Sequence, residues 1–163
     1  MGVSGAGKTV VGQALSHALG WKFFDADDFH SPQNIAKMHR GEGLNDSDRL
    51  PWLASLRALV ATTVAEDDHA VIACSALKQW HRDALVPHDV PPDVIEFVFL
   101  EVPPDVVLKR LVARQHKFAT PALLPSQFAA LEPPRDAIRI DGALPVADIV
   151  QAVLRRWGRE KTS

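Results

Sequence analysis

The sequence contains little cysteine, no long apolar run and no large excess of either positive or negative charge. Its single cysteine, Cys74, cannot form an internal disulfide, so a reducing cytoplasm is the expected location. No apolar stretch reaches the roughly 20 residues that a transmembrane helix needs, so we expect no membrane partner. The 18 Lys and Arg residues stand against 20 Asp and Glu residues. This net charge of −2 argues against a nucleic-acid partner.

The sequence also lacks a strand before its most informative motif. Residues 2–9, GVSGAGKT, fit the phosphate-binding loop G-x-x-x-x-G-K-[ST]. In this pattern backbone N–H groups surround the phosphates, the Lys reaches the β- and γ-phosphates and the Thr hydroxyl can hold Mg²⁺. A glycine-rich turn before an ordinary helix is the competing interpretation. The loop normally follows a buried strand, yet only Met1 precedes Gly2. We therefore expect about five to seven apolar residues placed before Met1 to raise thermal stability and nucleotide affinity.

Hydrophobic periodicity divides the chain into alternating helices and strands. The predicted helices are 9–19, 31–40, 51–66, 78–86, 103–114 and 146–157, and the predicted strands are 21–24, 69–74, 94–100 and 138–141. Short, continuously apolar strands between helices are typical of a parallel sheet covered on both faces. The 163 residues suffice for one domain. Segments at about 29–50 and 115–130 look like insertions that cover the site.

Three carboxylates follow the first predicted strand: Asp25, Asp27 and Asp28. Ligands of parallel sheets bind beyond the carboxyl ends of the strands, so this cluster should lie beside the phosphate-binding loop. Phosphoryl transfer to a hydroxyl needs Mg²⁺ and a carboxylate that orients the hydroxyl or accepts its proton. The alternative is a solvated turn before a helix that Ser31 caps.

Two further segments carry polar groups suited to a small hydroxylated anion. Residues 41–53 contain Asn, Asp and Arg side chains, which fit hydroxyls and a carboxylate, although an Asx-rich loop before a helix has the same composition. Residues 74–83 place small residues at a strand end, followed by Lys78 and Arg82 on one helix face. We read Cys74 as a small core residue and His81 as a surface residue.

A basic segment, residues 109–118, places Arg110 and Arg114 on one helix face. A lid that closes over a nucleotide needs mobile cations to neutralise the transferring phosphoryl group. A solvated basic end of a helix is the alternative.

Taken together, these segments resemble the gluconokinase family of small P-loop kinases, related to shikimate kinase. The matching stretches span nearly the whole chain in the expected order: MGVSGAGKT at 1–9, FDADD at 24–28, LNDSDR at 44–49 with PWL at 51–53, CSALK at 74–78, and SQF at 126–128. The LNDSDR-PWL and CSALK segments are more specific than the phosphate-binding loop, which identifies only a superfamily. The resemblance implies a three-layer P-loop kinase fold, with a parallel sheet between helices and its first strand missing at the N-terminus.

The resemblance also implies transfer of the γ-phosphate of ATP to the 6-hydroxyl of D-gluconate, with Mg²⁺. It assigns the roles as follows. The catalytic residues would be Lys8, Asp27 and Arg114, and the metal residues Thr9 and Asp25. ATP would contact Gly2, Ser4, Gly5, Ala6, Gly7, Lys8, Thr9 and Arg110. The sugar acid would contact Asp27, Asp48, Arg49, Ser75, Lys78, Arg82 and Gln127. A kinase of another small hydroxylated acid such as shikimate, a weakly active truncated module that binds nucleotides, and a homodimer all stay open.

Overall fold

The computed structural model describes residues 1–113 and 123–160. Seven α-helices and four strands alternate along these residues. The helices are α1 (Lys8–Leu19), α2 (Pro32–His39), α3 (Asp46–Ala65), α4 (Gln79–Leu85), α5 (Pro104–Ala113), α6 (Leu124–Ala130) and α7 (Val146–Glu160). The strands are β1 (Lys22–Asp25), β2 (Ala70–Ala73), β3 (Val98–Glu101) and β4 (Ile138–Asp141). Short 3₁₀ turns occupy Ala26–Phe29 and Pro92–Val94.

The strands form two parallel pairs. β1 pairs with β2 in a register that places Asp25 opposite Ala73, and β3 pairs with β4 in a register that places Glu101 opposite Asp141. Within the described residues, β2 and β3 are not paired with each other. All four strands are four residues long, and because each pair is parallel the carboxyl ends of its two strands lie side by side.

Met1 and Gly2 lie between the two strand pairs. The Leu100 N–H donates to the Met1 carbonyl at 3.0 Å, and the Met1 amine donates to the Val98 carbonyl. On the other side, the Gly2 N–H donates to the Ser75 carbonyl at 3.2 Å. The backbone that enters the phosphate-binding loop is thus bonded to segments of both pairs.

Two apolar clusters lie on opposite sides of the strands. One gathers buried residues of α1, α5 and α7, such as Leu15, Val107 and Ile149. The other contains Leu56 of α3 and Leu85 of α4. Parallel strands between two helical layers confirm the predicted α/β class. Among the described residues, no helix is long and apolar enough to cross a membrane.

Two element starts differ from the sequence expectation. α3 begins at Asp46 rather than at Pro51, because the side chain of Asn45 accepts from the N–H of Asp48 and the carboxylate of Asp48 accepts from the N–H of Asn45. This capping box starts the helix earlier, and Pro51 lies inside it although it has no N–H to donate. β3 begins at Val98 rather than at position 94, because residues 92–94 form a 3₁₀ turn. Helix α6 is an element that the sequence analysis does not predict.

Candidate active site

The phosphate-binding loop turns on glycines that other residues could not replace without strain. Gly5 has φ 79° and Gly7, the N-cap of α1, has φ 99°, both in the left-handed region. A Cβ added to Gly5 would lie 3.0 Å from Leu111 Cγ and from Val107 Cγ1 of α5. The loop therefore packs directly on α5. Its backbone enters α1 with the N–H groups of the first turn unpaired by the helix, as an anion-binding loop requires.

Side chains from α5 and α6 hold the loop. Gln127 of α6 accepts from the Ser4 N–H at 2.7 Å and donates through Nε2 to Ser4 Oγ at 3.0 Å. Arg110 of α5 donates to the Ala6 carbonyl at 3.2 Å. The structure thus places Gln127, which the resemblance assigned to the sugar acid, against the phosphate-binding loop. Arg110 lies at the loop as a nucleotide-binding residue would.

Lys8 brings a positive charge to the centre of the loop. Its Nζ donates to the Val3 carbonyl at 3.1 Å. Burial lowers the pKa of Lys8, and the nearby carboxylates of Asp27 and Asp25 oppose that shift. A cation with little water around it interacts strongly with any anion that enters the loop.

Thr9 and Asp25 supply two oxygen donors at the start of α1 and the end of β1. Thr9 Oγ1 donates to Asp25 Oδ2 at 2.7 Å. A hydroxyl and a carboxylate at this separation fit Mg²⁺, which takes oxygen ligands and usually retains waters and substrate phosphates. No group of three or more His, Cys, Asp or Glu side chains in the described part of the chain is arranged to hold a metal.

Asp27 lies in the 3₁₀ turn that follows β1. Its backbone N–H donates to Asp25 Oδ1 at 3.1 Å, which fixes the turn after β1. Asp27 is exposed to solvent at one side. Desolvation by the surrounding protein nevertheless raises its pKa, and the positive charge of Lys8 opposes that rise. The same turn is attached to α3, because Trp52 Nε1 donates to the Ala26 carbonyl at 2.7 Å. This hydrogen bond connects the turn beside the phosphate-binding loop to helix α3.

A cluster of charges lies at the start of α3. Asp46 Oδ1 is 3.4 Å from Lys78 Nζ and 3.6 Å from Arg49 NH1, so one exposed carboxylate faces two cations. Arg49 is partly buried, and burial lowers its pKa. The pair of cations forms a place where a carboxylate of a small molecule could bind. The composition of residues 41–53 predicts only a polar loop around Asp46, whereas the capping box at Asn45 is the sequence signal that indicates a helix carrying both Asp46 and Arg49.

Asp48 and Arg82 are engaged with the protein itself. Both Asp48 oxygens accept from Lys37 Nζ, at 2.7 and 2.9 Å, while Asn34 Nδ2 donates to the Asp48 carbonyl at 2.8 Å. Arg82 is buried and donates to the carbonyls of residues 76 and 77. These contacts hold α2 to α3 and fix the loop after β2. The predicted contacts of Asp48, Arg82 and Ser75 with a sugar acid stay predictions.

Two histidines beside Arg49 have unsatisfied nitrogens. In residues 1–113 and 123–160, the buried side-chain nitrogens without a hydrogen-bond partner are His30 Nδ1 and His81 Nε2. His30 stacks on Trp52 with ring centroids 4.5 Å apart. Burial and then Arg49 lower the pKa of both histidines to about 4, so both are neutral at pH 7. The expectation that His81 lies on the surface is wrong, because its side chain packs against Trp80 and is 4% exposed.

The reading of Cys74 as a core residue is confirmed, since its thiol is free and buried. Arg114 and positions 115–122 of the predicted lid lie outside the described residues. The remainder of that segment contains α6, which carries Gln127.

Comparison with known proteins identifies the family. The profile of the shikimate kinase family matches residues 4–129. A probable gluconokinase of Rattus norvegicus is 44% identical, with 94% of this chain and 93% of that protein covered. The unliganded structure of a sugar kinase from Janibacter is 39% identical, with a TM-score of 0.85 over 95% of this chain and 90% of that chain. A gluconokinase structure from Sinorhizobium meliloti is 39% identical, with a TM-score of 0.83 over 98% and 89%. The chain therefore belongs to the gluconokinase family of P-loop kinases.

Proposed function

We propose that the protein transfers the γ-phosphate of ATP to the 6-hydroxyl of D-gluconate, giving 6-phospho-D-gluconate and ADP. The observation that carries this proposal is the chain of contacts from Thr9 through Asp25 to Asp27. It links a phosphate-binding loop to the turn that carries Asp27, and Trp52 of α3 holds the same turn through the Ala26 carbonyl. Relatives named gluconokinase, 39–44% identical over most of the chain, support the choice of acceptor.

ATP would bind with its phosphates on the N–H groups of residues 2–9 and its β- and γ-phosphates near Lys8. Mg²⁺ would be held by Thr9, with Asp25 on the same side, and would neutralise charge that develops on the phosphates. Arg110, already at the loop, and Arg114 would serve the nucleotide. The Lys8 ammonium stabilises the transferring phosphoryl group because it interacts through a medium with little water.

Asp27 is the residue that handles the proton of the acceptor. The 6-oxygen of gluconate forms a bond to the γ-phosphorus while the bond between that phosphorus and the bridging oxygen of ADP breaks. The hydroxyl proton passes to the Asp27 carboxylate. Because desolvation raises the pKa of Asp27, its carboxylate is a better base than an ordinary aspartate at the same pH.

The acceptor's carboxylate would bind the cations of Arg49 and Lys78, in competition with Asp46. A guanidinium offers two parallel N–H donors to a carboxylate, and the ammonium adds a second charge. The unsatisfied nitrogens of His30 and His81 would face the hydroxyls of the acceptor. We place the reaction in the cytoplasm and in a single domain of residues 1–163.

The test is a panel of acceptors in an assay that couples ADP formation to NADH oxidation. D-gluconate, shikimate, glucose and the sugar alcohol sorbitol separate the sugar acid from its competitors. We expect the highest kcat/KM with D-gluconate and little turnover of sorbitol, which lacks the carboxylate. Equal kcat/KM values for gluconate and sorbitol would contradict the role of the two cations. A preference for shikimate would contradict the proposed acceptor.

A further inference from the structure

The carboxylate of Asp46 lies against the two cations that we assign to the acceptor. Its Oδ1 atom is 3.4 Å from Lys78 Nζ and 3.6 Å from Arg49 NH1, and its Oδ2 atom is 3.5 Å from the same Lys78 nitrogen. The carboxylate of a bound sugar acid would use the same donors, because guanidinium and ammonium groups make the strongest hydrogen bonds to carboxylates. Asp46 is thus a carboxylate of the protein in the place where a carboxylate of the acceptor would bind.

The contacts of Asp46 are loose compared with a neighbouring ion pair of the same helix. Lys37 Nζ lies 2.7 and 2.9 Å from the two oxygens of Asp48, the ordinary length of a charge-assisted hydrogen bond. The Asp46 side chain is 56% exposed, whereas the Asp48 side chain is 16% exposed. Long, exposed ion pairs contribute little to stability. A ligand can therefore displace Asp46 from the cations without unfolding the start of α3.

The charges around Asp46 leave a single positive charge for a ligand. Arg49 and Lys78 carry two positive charges and Asp46 carries one negative charge. The two neighbouring histidines are neutral at pH 7. Burial lowers the pKa of the nearby Arg82, and the carboxylate of Glu132 opposes this shift, so those two opposite charges balance each other. The charge of the site therefore matches an anion with one negative charge.

We propose that Asp46 is a specificity-determining residue, which restricts the pair of Arg49 and Lys78 to a singly charged carboxylate and excludes doubly charged anions of the phosphate and sulfate class. Such anions bind readily to paired cations, and a phosphate-binding loop lies in the same site. The proposal rests on the proposed function, because it takes Arg49 and Lys78 as the groups that bind the acceptor's carboxylate.

The charge of the ligand determines how much Asp46 opposes its binding. Coulomb energy is proportional to the product of the charges, so a dianion is repelled twice as strongly as a monoanion in the same place. Binding constants depend exponentially on free energy. Removing the charge of Asp46 should therefore tighten dianion binding by the square of the factor for a monoanion. A gain of about threefold for gluconate corresponds to a gain of about tenfold for sulfate.

The variant Asp46→Asn tests the proposal, with D-gluconate as the monoanion and inorganic sulfate as the dianion. Titration calorimetry measures both dissociation constants at constant low ionic strength, with Mg²⁺ and a saturating non-hydrolysable ATP analogue that fills the phosphate-binding loop. We expect the dissociation constant to fall about threefold for gluconate and at least about tenfold for sulfate, and we expect gluconate to displace the sulfate.

Asp105→Asn is the matched control. Asp105 is also an exposed carboxylate in the first turn of a helix, and it pairs with Lys109 at 3.5 Å. This control removes one negative charge and one favourable interaction with a helix dipole, as Asp46→Asn does, but at a place remote from the two cations. Both dissociation constants should stay within about twofold of the values for the parent chain.

Three results would decide against the inference or against its basis. Weaker binding of gluconate by Asp46→Asn would show that Asp46 holds Arg49 and Lys78 in position, and would overturn the proposal. Equal gains for sulfate and gluconate would refute the argument from charge. Failure of the parent chain to bind gluconate would contradict the proposed function alone, because the sulfate titrations of the parent and of Asp46→Asn still test the exclusion of dianions.

Discussion

Replacing Lys8 by methionine separates catalysis from folding in this protein. The Lys8 ammonium makes a 3.1 Å hydrogen bond to the Val3 carbonyl and lies close enough to Asp27 and Asp25 for both to influence its pKa. Methionine retains most of the apolar length of the side chain and removes the charge and its donors. Lys8→Met therefore removes the group proposed to face the transferring phosphoryl group and leaves the packing of the loop largely in place.

Lys8→Met should affect catalysis much more than stability. Removing one positioned donor from a developing negative charge typically lowers kcat by about 10²–10³, or about 2.7–4 kcal/mol. The lost hydrogen bond to Val3 contributes about 1 kcal/mol to the free energy of unfolding. The cost of desolvating the Lys8 ammonium disappears in the variant, and this gain opposes that loss. We therefore expect kcat to fall at least about 100-fold while the free energy of unfolding changes by less than about 1 kcal/mol.

The assay measures ADP release with saturating ATP and D-gluconate, and urea unfolding of the same preparations gives the stability. Lys109→Met is the matched control, because Lys109 is an exposed lysine of α5 that pairs only with Asp105 among the ion pairs described. The control should retain normal kcat. Turnover of Lys8→Met within a few-fold of the parent would refute the assignment of Lys8, and a loss of stability by several kcal/mol would show that the charge serves the fold instead.

Four other predictions follow from the geometry of the site. Asp27→Asn should lower kcat by about 10²–10⁴ while the ATP dissociation constant from titration calorimetry stays nearly constant, and the reverse result would place Asp27 on the nucleotide side. Arg49→Lys should raise the KM for gluconate about tenfold and leave the KM for ATP unchanged, because an ammonium cannot make the two-pronged contact; a rise in both would contradict the carboxylate role. Gly5→Ala should lower the free energy of unfolding by about 1–3 kcal/mol in urea titrations, since φ 79° and the contact with α5 both resist a Cβ, and unchanged stability would argue against the observed packing. Burial lowers the pKa values of His30 and His81 from 6.5 to about 4, so between these pH values the unfolded chain binds more protons than the folded protein. The free energy of unfolding should therefore fall as pH decreases from about 6.5 to about 4. His81→Gln should reduce this dependence on pH in urea titrations, and an unaltered dependence would refute the contribution of His81.

The parts of the site that the sequence predicts are those whose functional residues lie close together along the chain. The pattern of residues 2–9 predicts the loop because glycine, lysine and threonine at fixed spacing perform their roles within one turn. Asp25 and Thr9 meet at 2.7 Å because both sit where a strand ends and a helix begins at one edge of the sheet, as parallel topology requires.

Contacts between distant segments were harder to predict. Gln127 and Ser4 are 123 positions apart and bind each other, and nothing in the local sequence indicates this pairing. The burial of His81 depends on its contact with Trp80 and on how α4 packs against α3, and neither is visible in the local sequence pattern. Pro51 suggested a helix start, but the capping interactions of Asn45 determine the first turn.

Phosphorylation of the 6-hydroxyl of D-gluconate can be followed by phosphorus NMR of a reaction with ATP, Mg²⁺ and D-gluconate. This measurement identifies the product as well as the loss of ATP. We expect equal amounts of ADP and one phosphate monoester, whose phosphorus couples to the two hydrogens of the terminal CH₂ group. ADP with inorganic phosphate alone, or an ester at a secondary hydroxyl, would contradict it.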